Sequence, residues 1–128
     1  MITNFPAWQN GEFCTVKDLT VSVLDLGLIH SDATYDVISS HNRKIFKLND
    51  HLDRFYTSCE FWRLTPTISR KEVQEIILEL CRKSDVEDLL IWIGITRGAP
   101  SSGNPRDLSS YTPNMFMYVK PYFGFNPQ

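Results

Sequence analysis

The sequence has 128 residues, enough for one domain with a substantial hydrophobic core. Its 42% hydrophobic and 22% charged residues are typical of a globular protein, and the net charge of −2 argues against binding to nucleic acid or to an anionic membrane surface. No apolar run is long enough to span a bilayer, and three widely spaced cysteines, Cys14, Cys59 and Cys81, predict reduced thiols in the cytoplasm rather than disulfides or a metal site.

Two β-strand signals come early in the chain. An Asn-Gly pair lies between apolar residues and predicts a hairpin over Trp8–Phe13, because a type I′ turn needs positive φ at both central positions. Alternating apolar and polar residues from Leu19 to Leu24 predict a half-buried strand. Gly27 then ends this pattern and is a candidate for a positive φ angle.

The middle of the chain predicts a strand, a turn, a returning strand and a helix. Thr34–Ser40 reads as a strand whose odd- and even-numbered side chains lie on opposite faces. Residues 41–44 form the turn, and Ile45–Leu48 is the returning strand. Asn49 is the predicted N-cap of a helix over residues 50–63, whose apolar residues recur at helical spacing.

The second half predicts one more helix and two strands. Ser69 opens a capping box, and the apolar stripe that follows it predicts a helix to about Lys83. Leu89–Thr96 is rich in β-branched and aromatic residues, which is typical of a central strand. A loop of Gly, Pro and Ser residues leads to the last strand, Met115–Tyr122.

The order of these elements predicts an α+β fold, a mostly antiparallel sheet with two helices packed on one side. We expect one small domain over residues 1–122 and the start of an interdomain linker at residues 123–128. No internal repeat or low-complexity segment divides the chain.

The sequence pattern alone does not decide the roles of several polar residues. Arg54 could bind a phosphate or carboxylate with its planar fork of donors, or it could be a surface arginine paired with Asp50 or Asp53. His30 could be a base, a ligand or a structural histidine, and Tyr35 is more typical of a core strand than of a catalytic site. Arg97 and Arg106 flank a loop that could fold over a ligand or stay solvated. No nucleotide-binding, hydrolase or metal motif is present.

Longer runs of residues resemble one enzyme family. The runs are Asp25–Gly27, His30–Val37, Phe46–Leu48, His51–Arg54, Ser58–Cys59, Ile95–Gly98 and Val119–Tyr122. Together they resemble the class IV, or fold-type IV, pyridoxal-phosphate (PLP) aminotransferases, and the match runs collinearly through nearly the whole chain. The His30–Val37 run is most similar to the (R)-selective amine transaminases, which stand beside the D-amino-acid and branched-chain aminotransferases in this family.

The resemblance implies roles for individual residues. Arg54 matches the arginine that clamps the cofactor phosphate. Positions that line the substrate pocket are matched by His30, Tyr35, Val37, Leu90 and Trp92. The (R)-selective branch usually has Phe and Glu at the last two of these positions, so the indole of Trp92 would make the pocket less polar. Arg106 is the candidate for binding a substrate carboxylate, in a loop that is shorter than in that branch.

The resemblance also implies what this stretch of chain lacks. In the family the Schiff-base lysine lies in a second domain, and none of the six lysines here matches it. We therefore expect no catalytic residue in this chain and no transamination by it alone. The implied parent enzyme is a homodimer that transfers an amino group from an amine or amino acid to a 2-keto acid. An isolated domain is expected to expose an apolar patch and to self-associate.

Two other functions stay open at this point. A non-catalytic binding or interaction module could keep the same small domain, and a class IV PLP lyase such as aminodeoxychorismate lyase would share it. Release of pyruvate without an amino acceptor would distinguish the lyase from a transaminase.

Overall fold

The computed structural model describes residues 1–123, so the linker expected at residues 123–128 lies outside them except for Phe123. The described chain contains six β-strands, three α-helices and short 3-10 turns. The elements are β1 (Pro6–Gln9), β2 (Glu12–Thr15), α1 (Leu26–Ile29), β3 (Ala33–His41), β4 (Lys44–Ile45), α2 (Leu48–Trp62), α3 (Arg70–Lys83), β5 (Leu89–Thr96) and β6 (Asn114–Pro121).

The six strands form one sheet in the order β2-β1-β6-β5-β3-β4. Every neighbouring pair is antiparallel, with β5 and β6 in register over their full lengths and β5 and β3 nearly so. The prediction that Leu89–Thr96 is an inner strand is confirmed, since β5 lies between β6 and β3 and is almost completely buried.

Helices α2 and α3 pack on the same face of the sheet and enclose the hydrophobic core. Odd-numbered side chains of β5 and β6 meet the apolar stripes of both helices there. The residues of this core include Ile38, Leu52, Phe55, Cys59, Val73, Ile77, Leu80, Ile91, Ile93, Ile95, Met115, Met117 and Val119. The α+β class with two helices on one side of an antiparallel sheet is confirmed. Within residues 1–123 no helix covers the centre of the other face, which we call the open face.

The hairpin predicted from the Asn-Gly pair is confirmed. Strands β1 and β2 pair from Pro6 to Thr15, with Asn10 at φ 49° and Gly11 at φ 101° in the turn. The capping box at Ser69 is also confirmed in its main contact. The Ser69 hydroxyl accepts a hydrogen bond from the backbone N–H of Glu72 at 3.2 Å, and α3 runs to Lys83 as predicted. Both features depend only on neighbouring residues.

The strand predicted over Leu19–Leu24 is wrong. This segment follows a 3-10 turn at Val16–Asp18 and has no strand pairing within residues 1–123. Three of its four apolar side chains stay exposed, Val23 to 75% and Leu24 to 55%, whereas Leu19 is partly buried. The segment is held to β1 by the Gln9 side chain, which donates to the Thr20 carbonyl oxygen and accepts from the Thr20 N–H, rather than by strand pairing. Alternation alone does not show whether the backbone of a neighbouring strand is available for pairing.

The returning strand and the helix cap in the middle of the chain are also partly wrong. The strand β4 is only two residues long, because Leu48 already belongs to α2. The N-cap is Lys47, in the left-handed region at φ 51°, rather than Asn49. An early helix start shortens the hairpin and brings the polar side of α2 close to β3.

No helix in residues 1–123 is long and apolar enough to cross a lipid bilayer. All three cysteines are free thiols. Large apolar side chains with more than half of their surface exposed include Val23, Leu24, Leu28, Ile29, Phe46, Phe61 and Leu108, together with Trp62 at half.

Candidate functional site

Arg54 lies on α2 and forms a forked ion pair with Asp36 of β3. Its Nε donates to Asp36 Oδ2 at 2.7 Å, and its Nη2 donates to Asp36 Oδ1 at 2.9 Å. His51 precedes Arg54 by one helical turn, and its Nδ1 lies 2.8 Å from the same Oδ1. We call these three residues the Asp36 cluster. The alternative in which Arg54 pairs with Asp50 or Asp53 is not what the structure shows.

The electrostatics of the Asp36 cluster are set by a buried carboxylate that lies beside the Arg54 guanidinium and the His51 ring. Asp36 is only 4% exposed. Burial by itself raises the pKa of the Asp36 carboxyl, but hydrogen bonds and charge from Arg54 and His51 outweigh it and lower the pKa below its ordinary value of 3.8. The hydrogen bond and charge of Asp36 in turn raise the pKa of the Arg54 guanidinium. An ionised carboxylate only accepts hydrogen bonds, so His51 is assigned its ring proton on Nδ1.

We expect the protein to lose stability in acid, because the stabilising contribution of the Asp36 cluster is lost there. Its contribution is complete above the ordinary carboxyl pKa of 3.8 and is lost as the pH falls through the lower folded value. The free energy of unfolding of Asp36→Asn should therefore fall less than that of the wild type between about pH 5 and pH 2, as measured by urea denaturation. Asp53→Asn, which removes an exposed carboxylate from α2, the helix of His51 and Arg54, is the control. Equal losses in wild type and Asp36→Asn would contradict the prediction.

Four of the five predicted pocket residues come together on the open face. Val37 lies directly opposite Trp92 in the β3–β5 register, and Leu90 precedes Trp92 by two residues on the same strand. The rings of Tyr35 and Trp92 stack with centroids 4.4 Å apart and planes 4° apart. Tyr35 is 59% exposed, so this stacked pair is accessible from solvent.

Two further aromatic residues of the open face were missed by sequence reasoning. Phe116 and Tyr118 stack on Trp92, with centroids 6.0 and 5.8 Å away. The available signal was the alternation in the last strand, which places even-numbered residues on one face. What the sequence could not show is that β6 pairs with β5 so that Trp92 faces Tyr118.

His30, the fifth predicted pocket residue, is the C-cap of α1. This helix packs at the Thr96 end of β5, where the Asp25 carboxylate accepts hydrogen bonds from the Thr96 hydroxyl at 2.6 Å and from the Gly27 N–H at 2.7 Å. The predicted positive φ of Gly27 is wrong. Gly27 is needed for space, since a Cβ there would lie 2.6 Å from Thr96 Cβ. Among the described residues no side-chain hydrogen bond or ring contact joins His30 to Tyr35 or Trp92.

The Asp36 cluster and the open face lie on opposite sides of β3, because Tyr35 and Asp36 point in opposite directions. Among residues 1–123, the part of this strand from Ala33 to Ile38 pairs only with β5, since β4 pairs with Ser40 and His41 and Phe46 donates to the Ser39 carbonyl oxygen. This free edge of β3 therefore separates Arg54 from Tyr35 and Val37. A ligand bound across the free edge could contact both sides.

Arg97 has a structural role that its position in the sequence did not predict. Its Nε and Nη2 donate to the Asp32 carboxylate at 2.8 and 3.3 Å. Its Nη1 and Nη2 also donate to the carbonyl oxygens of Arg63 and Trp62 at 2.9 and 2.8 Å, at the carboxyl end of α2. Arg97 therefore fastens that end of α2 to the residue that precedes β3.

Arg106 is exposed in the loop between β5 and β6. Its backbone N–H donates to the Asn104 side chain at 3.1 Å, while its guanidinium makes no hydrogen bond or ion pair within residues 1–123. A surface cavity of about 560 Å³ lies beside the loop and is lined partly by Trp62, Arg97 and Leu108. The carboxylate-binding role of Arg106 stays a prediction.

In the described part of the chain no group of His, Cys, Asp and Glu side chains is arranged to hold a metal ion.

Comparison with known proteins points to one family. A family model described as amino-transferase class IV matches residues 33–124. A Methanocaldococcus jannaschii protein assigned to the branched-chain-amino-acid aminotransferases is 32% identical over 100 residues, which are 77% of this chain and 35% of that protein. A D-alanine aminotransferase of Staphylococcus epidermidis is 29% identical over 113 residues, which are 88% of this chain and 40% of that enzyme.

The fold is also that of solved aminotransferases. The branched-chain amino acid aminotransferase from Escherichia coli superposes with a TM-score of 0.80 at 22% identity, over 93% of this chain and 41% of that chain. Another branched-chain amino acid aminotransferase, crystallised with pyridoxamine 5′-phosphate, superposes with a TM-score of 0.84 at 22% identity, over 98% of this chain and 42% of that chain. The chain thus spans about two fifths of the length of the proteins it matches, in their N-terminal part.

Proposed function

The chain belongs to the class IV aminotransferase family, and on that premise we propose that it forms the small N-terminal domain of a PLP-dependent aminotransferase. In this proposal Arg54 holds the cofactor phosphate, and the open face forms part of the substrate pocket. The observation that carries the proposal is the Asp36 cluster, which presents an exposed arginine at the free edge of β3, beside stacked aromatic rings on the other side of that strand.

The donors present fit a phosphorylated aromatic cofactor. Arg54 keeps guanidinium N–H groups without a partner in residues 1–123, and a guanidinium matches the geometry of a phosphate. PLP, when bound, withdraws electrons from the carbon that carries the substrate amino group, so that this carbon loses its proton more easily. The residues of this chain would bind the phosphate, orient the substrate through the open face and exclude water from it.

We propose that the amino donor is an amine or amino acid and that the acceptor is a 2-keto acid. The His30–Val37 run supports the (R)-selective amine transaminase branch. His30, Tyr35, Val37, Leu90 and Trp92 remain the proposed pocket residues, with Arg106 for a substrate carboxylate. Because Trp92 is stacked between Tyr35 and two rings of β6, it would give the pocket an apolar, aromatic wall.

The catalytic lysine is not among the proposed site residues, because none of the six lysines in the sequence matches the lysine of the family. This stretch of chain, with residues 1–122 as the small domain, is proposed not to transaminate by itself. A homodimeric parent enzyme is supported by the exposed apolar side chains at residues 61, 62 and 108. A cytoplasmic location is supported by the three free thiols.

Binding of PLP and of pyridoxal, which lacks the phosphate, tests the role of Arg54. The wild-type chain should bind PLP more tightly than pyridoxal, and Arg54→Ala should remove about tenfold or more of that preference, because a charge-assisted bidentate contact to the phosphate is lost. Fluorescence titration measures both dissociation constants. Arg82→Ala, which removes an exposed arginine paired with Glu79, is the matched control. An unchanged preference in Arg54→Ala would exclude Arg54 as the phosphate ligand.

A further inference from the structure

We infer that Asp36 and His51 are positioning residues that hold Arg54 with one edge of its guanidinium turned toward the cofactor phosphate. The inference rests on the proposed function, because it assigns a cause for the orientation of the arginine proposed to bind that phosphate. Neither residue would contact the phosphate itself. They would act only through Arg54.

Arg54 has more N–H donors than Asp36 uses. A guanidinium has five N–H donors, one on Nε and two on each Nη. Asp36 accepts along the edge formed by Nε and Nη2, at 2.7 and 2.9 Å. Within residues 1–123 the Nη1 group has no partner. The edge formed by Nη1 and Nη2 is therefore left for a second anion, and it has the fork geometry that phosphate oxygens match.

Arg54 and Asp36 differ strongly in their exposure to solvent. The Arg54 side chain is 67% exposed, whereas the Asp36 side chain is 2% exposed. A free surface arginine would lose a large amount of rotamer entropy on binding a ligand. Here the buried carboxylate has already fixed the guanidinium plane through two hydrogen bonds. Arg54 is consequently accessible and ordered at the same time, which lowers the entropy lost when it binds an anion.

His51 is the second residue that contacts the Asp36 carboxylate. Its Nδ1 shares Asp36 Oδ1 with Arg54 Nη2, and the two nitrogens lie 3.3 Å apart. The His51 side chain is 21% exposed and lies beside the carboxylate on the same helix as Arg54. Three donors therefore converge on two oxygens of one carboxylate. With His51 in place, Asp36 cannot rotate about its own side-chain bonds without losing a hydrogen bond.

The test compares the phosphate preference, defined as the dissociation constant of pyridoxal divided by that of PLP, across variants of the full chain. Asp36→Asn should lower this preference about tenfold, the usual size of an effect that acts through an outer partner of a ligand-binding group. His51→Gln should lower it in the same direction but less, and Asp36→Glu should keep part of it. The matched control is Asp53→Asn, which removes a carboxylate from α2, the helix of His51 and Arg54. The Asp53 carboxylate pairs with Arg70 of α3 and not with Arg54.

A second measurement does not depend on variants of a buried residue. In the wild-type chain, the Nε–H proton of Arg54 should exchange with water more slowly than the Nε–H proton of Arg82, whose described ion pair uses Nη1. His51→Gln should speed up the exchange at Arg54, as followed by nitrogen-15 NMR. Exchange at Arg54 as fast as at Arg82 would overturn the inference.

The outcomes separate the inference from the proposed function. If Arg54→Ala leaves the phosphate preference unchanged, the proposed function loses its phosphate ligand. If Arg54→Ala abolishes the preference while Asp36→Asn and His51→Gln behave like Asp53→Asn, the proposed function stands and the positioning role is refuted. Loss of preference in all three variants, with native circular dichroism spectra, supports both.

Discussion

Gly98→Ala is expected to cost more than about 4 kcal/mol of folding free energy, the range reached only when a substitution meets a defined steric obstacle. Gly98 has φ +84°, and a Cβ atom there would lie 1.9 Å from the backbone oxygen of Thr112 and 2.9 Å from its carbonyl carbon. A backbone oxygen cannot rotate away as a side chain can. The Gly98 N–H also donates to Asp25 Oδ1 at 3.1 Å, so a shift of this residue would loosen the contact that holds α1 against β5.

Gly103→Ala is the matched control for this prediction. Gly103 also has a positive φ, +74°, but a Cβ there would meet nothing within 4 Å. Its replacement should cost only the strain of the left-handed conformation, about 1 kcal/mol. Urea denaturation of both variants gives the two losses in unfolding free energy. Losses of similar size would show that the approach to Thr112 is not the cause.

Arg97→Met is expected to lower the free energy of unfolding by about 2 to 4 kcal/mol, somewhat less than for a fully buried pair because both partners are partly exposed. The substitution removes two hydrogen bonds to Asp32 and two to the carbonyl oxygens at the end of α2. It also leaves Asp32, whose side chain is only 24% exposed, without its cation. Methionine keeps most of the apolar stem, so lost packing should contribute little.

Arg82→Met provides the comparison for Arg97. Arg82 pairs with Glu79 one turn away on α3, with its side chain 73% exposed, and such surface pairs contribute about 0 to 1 kcal/mol. Thermal and urea denaturation of the two variants should therefore differ clearly. If Arg97→Met were as stable as Arg82→Met, the contacts between α2 and β3 would have to be held by other residues.

The elements that the sequence predicted correctly are those whose causes lie within a few residues. The hairpin at Asn10, the cap at Ser69 and the apolar run of β5 each depend on local turn chemistry, a local cap or local composition. The strand expected at Leu19–Leu24 failed because alternation cannot show whether a partner strand exists. Likewise, the short β4 results from a helix that starts at Leu48, before the residue with the better capping side chain.

In the candidate site, too, features with local causes were predicted and contacts between distant parts of the chain were not. Tyr35, Val37, Leu90 and Trp92 were named from the resemblance to the family. Alternation puts the first two on one face of β3 and the last two on one face of β5, but only the register of the two strands shows that these faces are the same. Asp36 was not predicted to hold Arg54, because the two residues are 18 positions apart and meet only when α2 packs on β3. Arg97 and Asp32 are 65 positions apart. Contacts across such separations depend on the packing of whole elements, which no local pattern specifies.

The free edge of β3 has a consequence for aggregation. Because the Ser39 carbonyl accepts from Phe46 on the β4 side, the backbone groups of Tyr35 and Val37 point to the same edge and find no strand there within residues 1–123. An unpaired edge can template a strand from another molecule, and an inward-pointing charge is one of the features that prevents such pairing. Asp36 points inward on this strand. We therefore expect the Asp36 carboxylate, besides ordering Arg54, to disfavour pairing of a foreign strand with this edge.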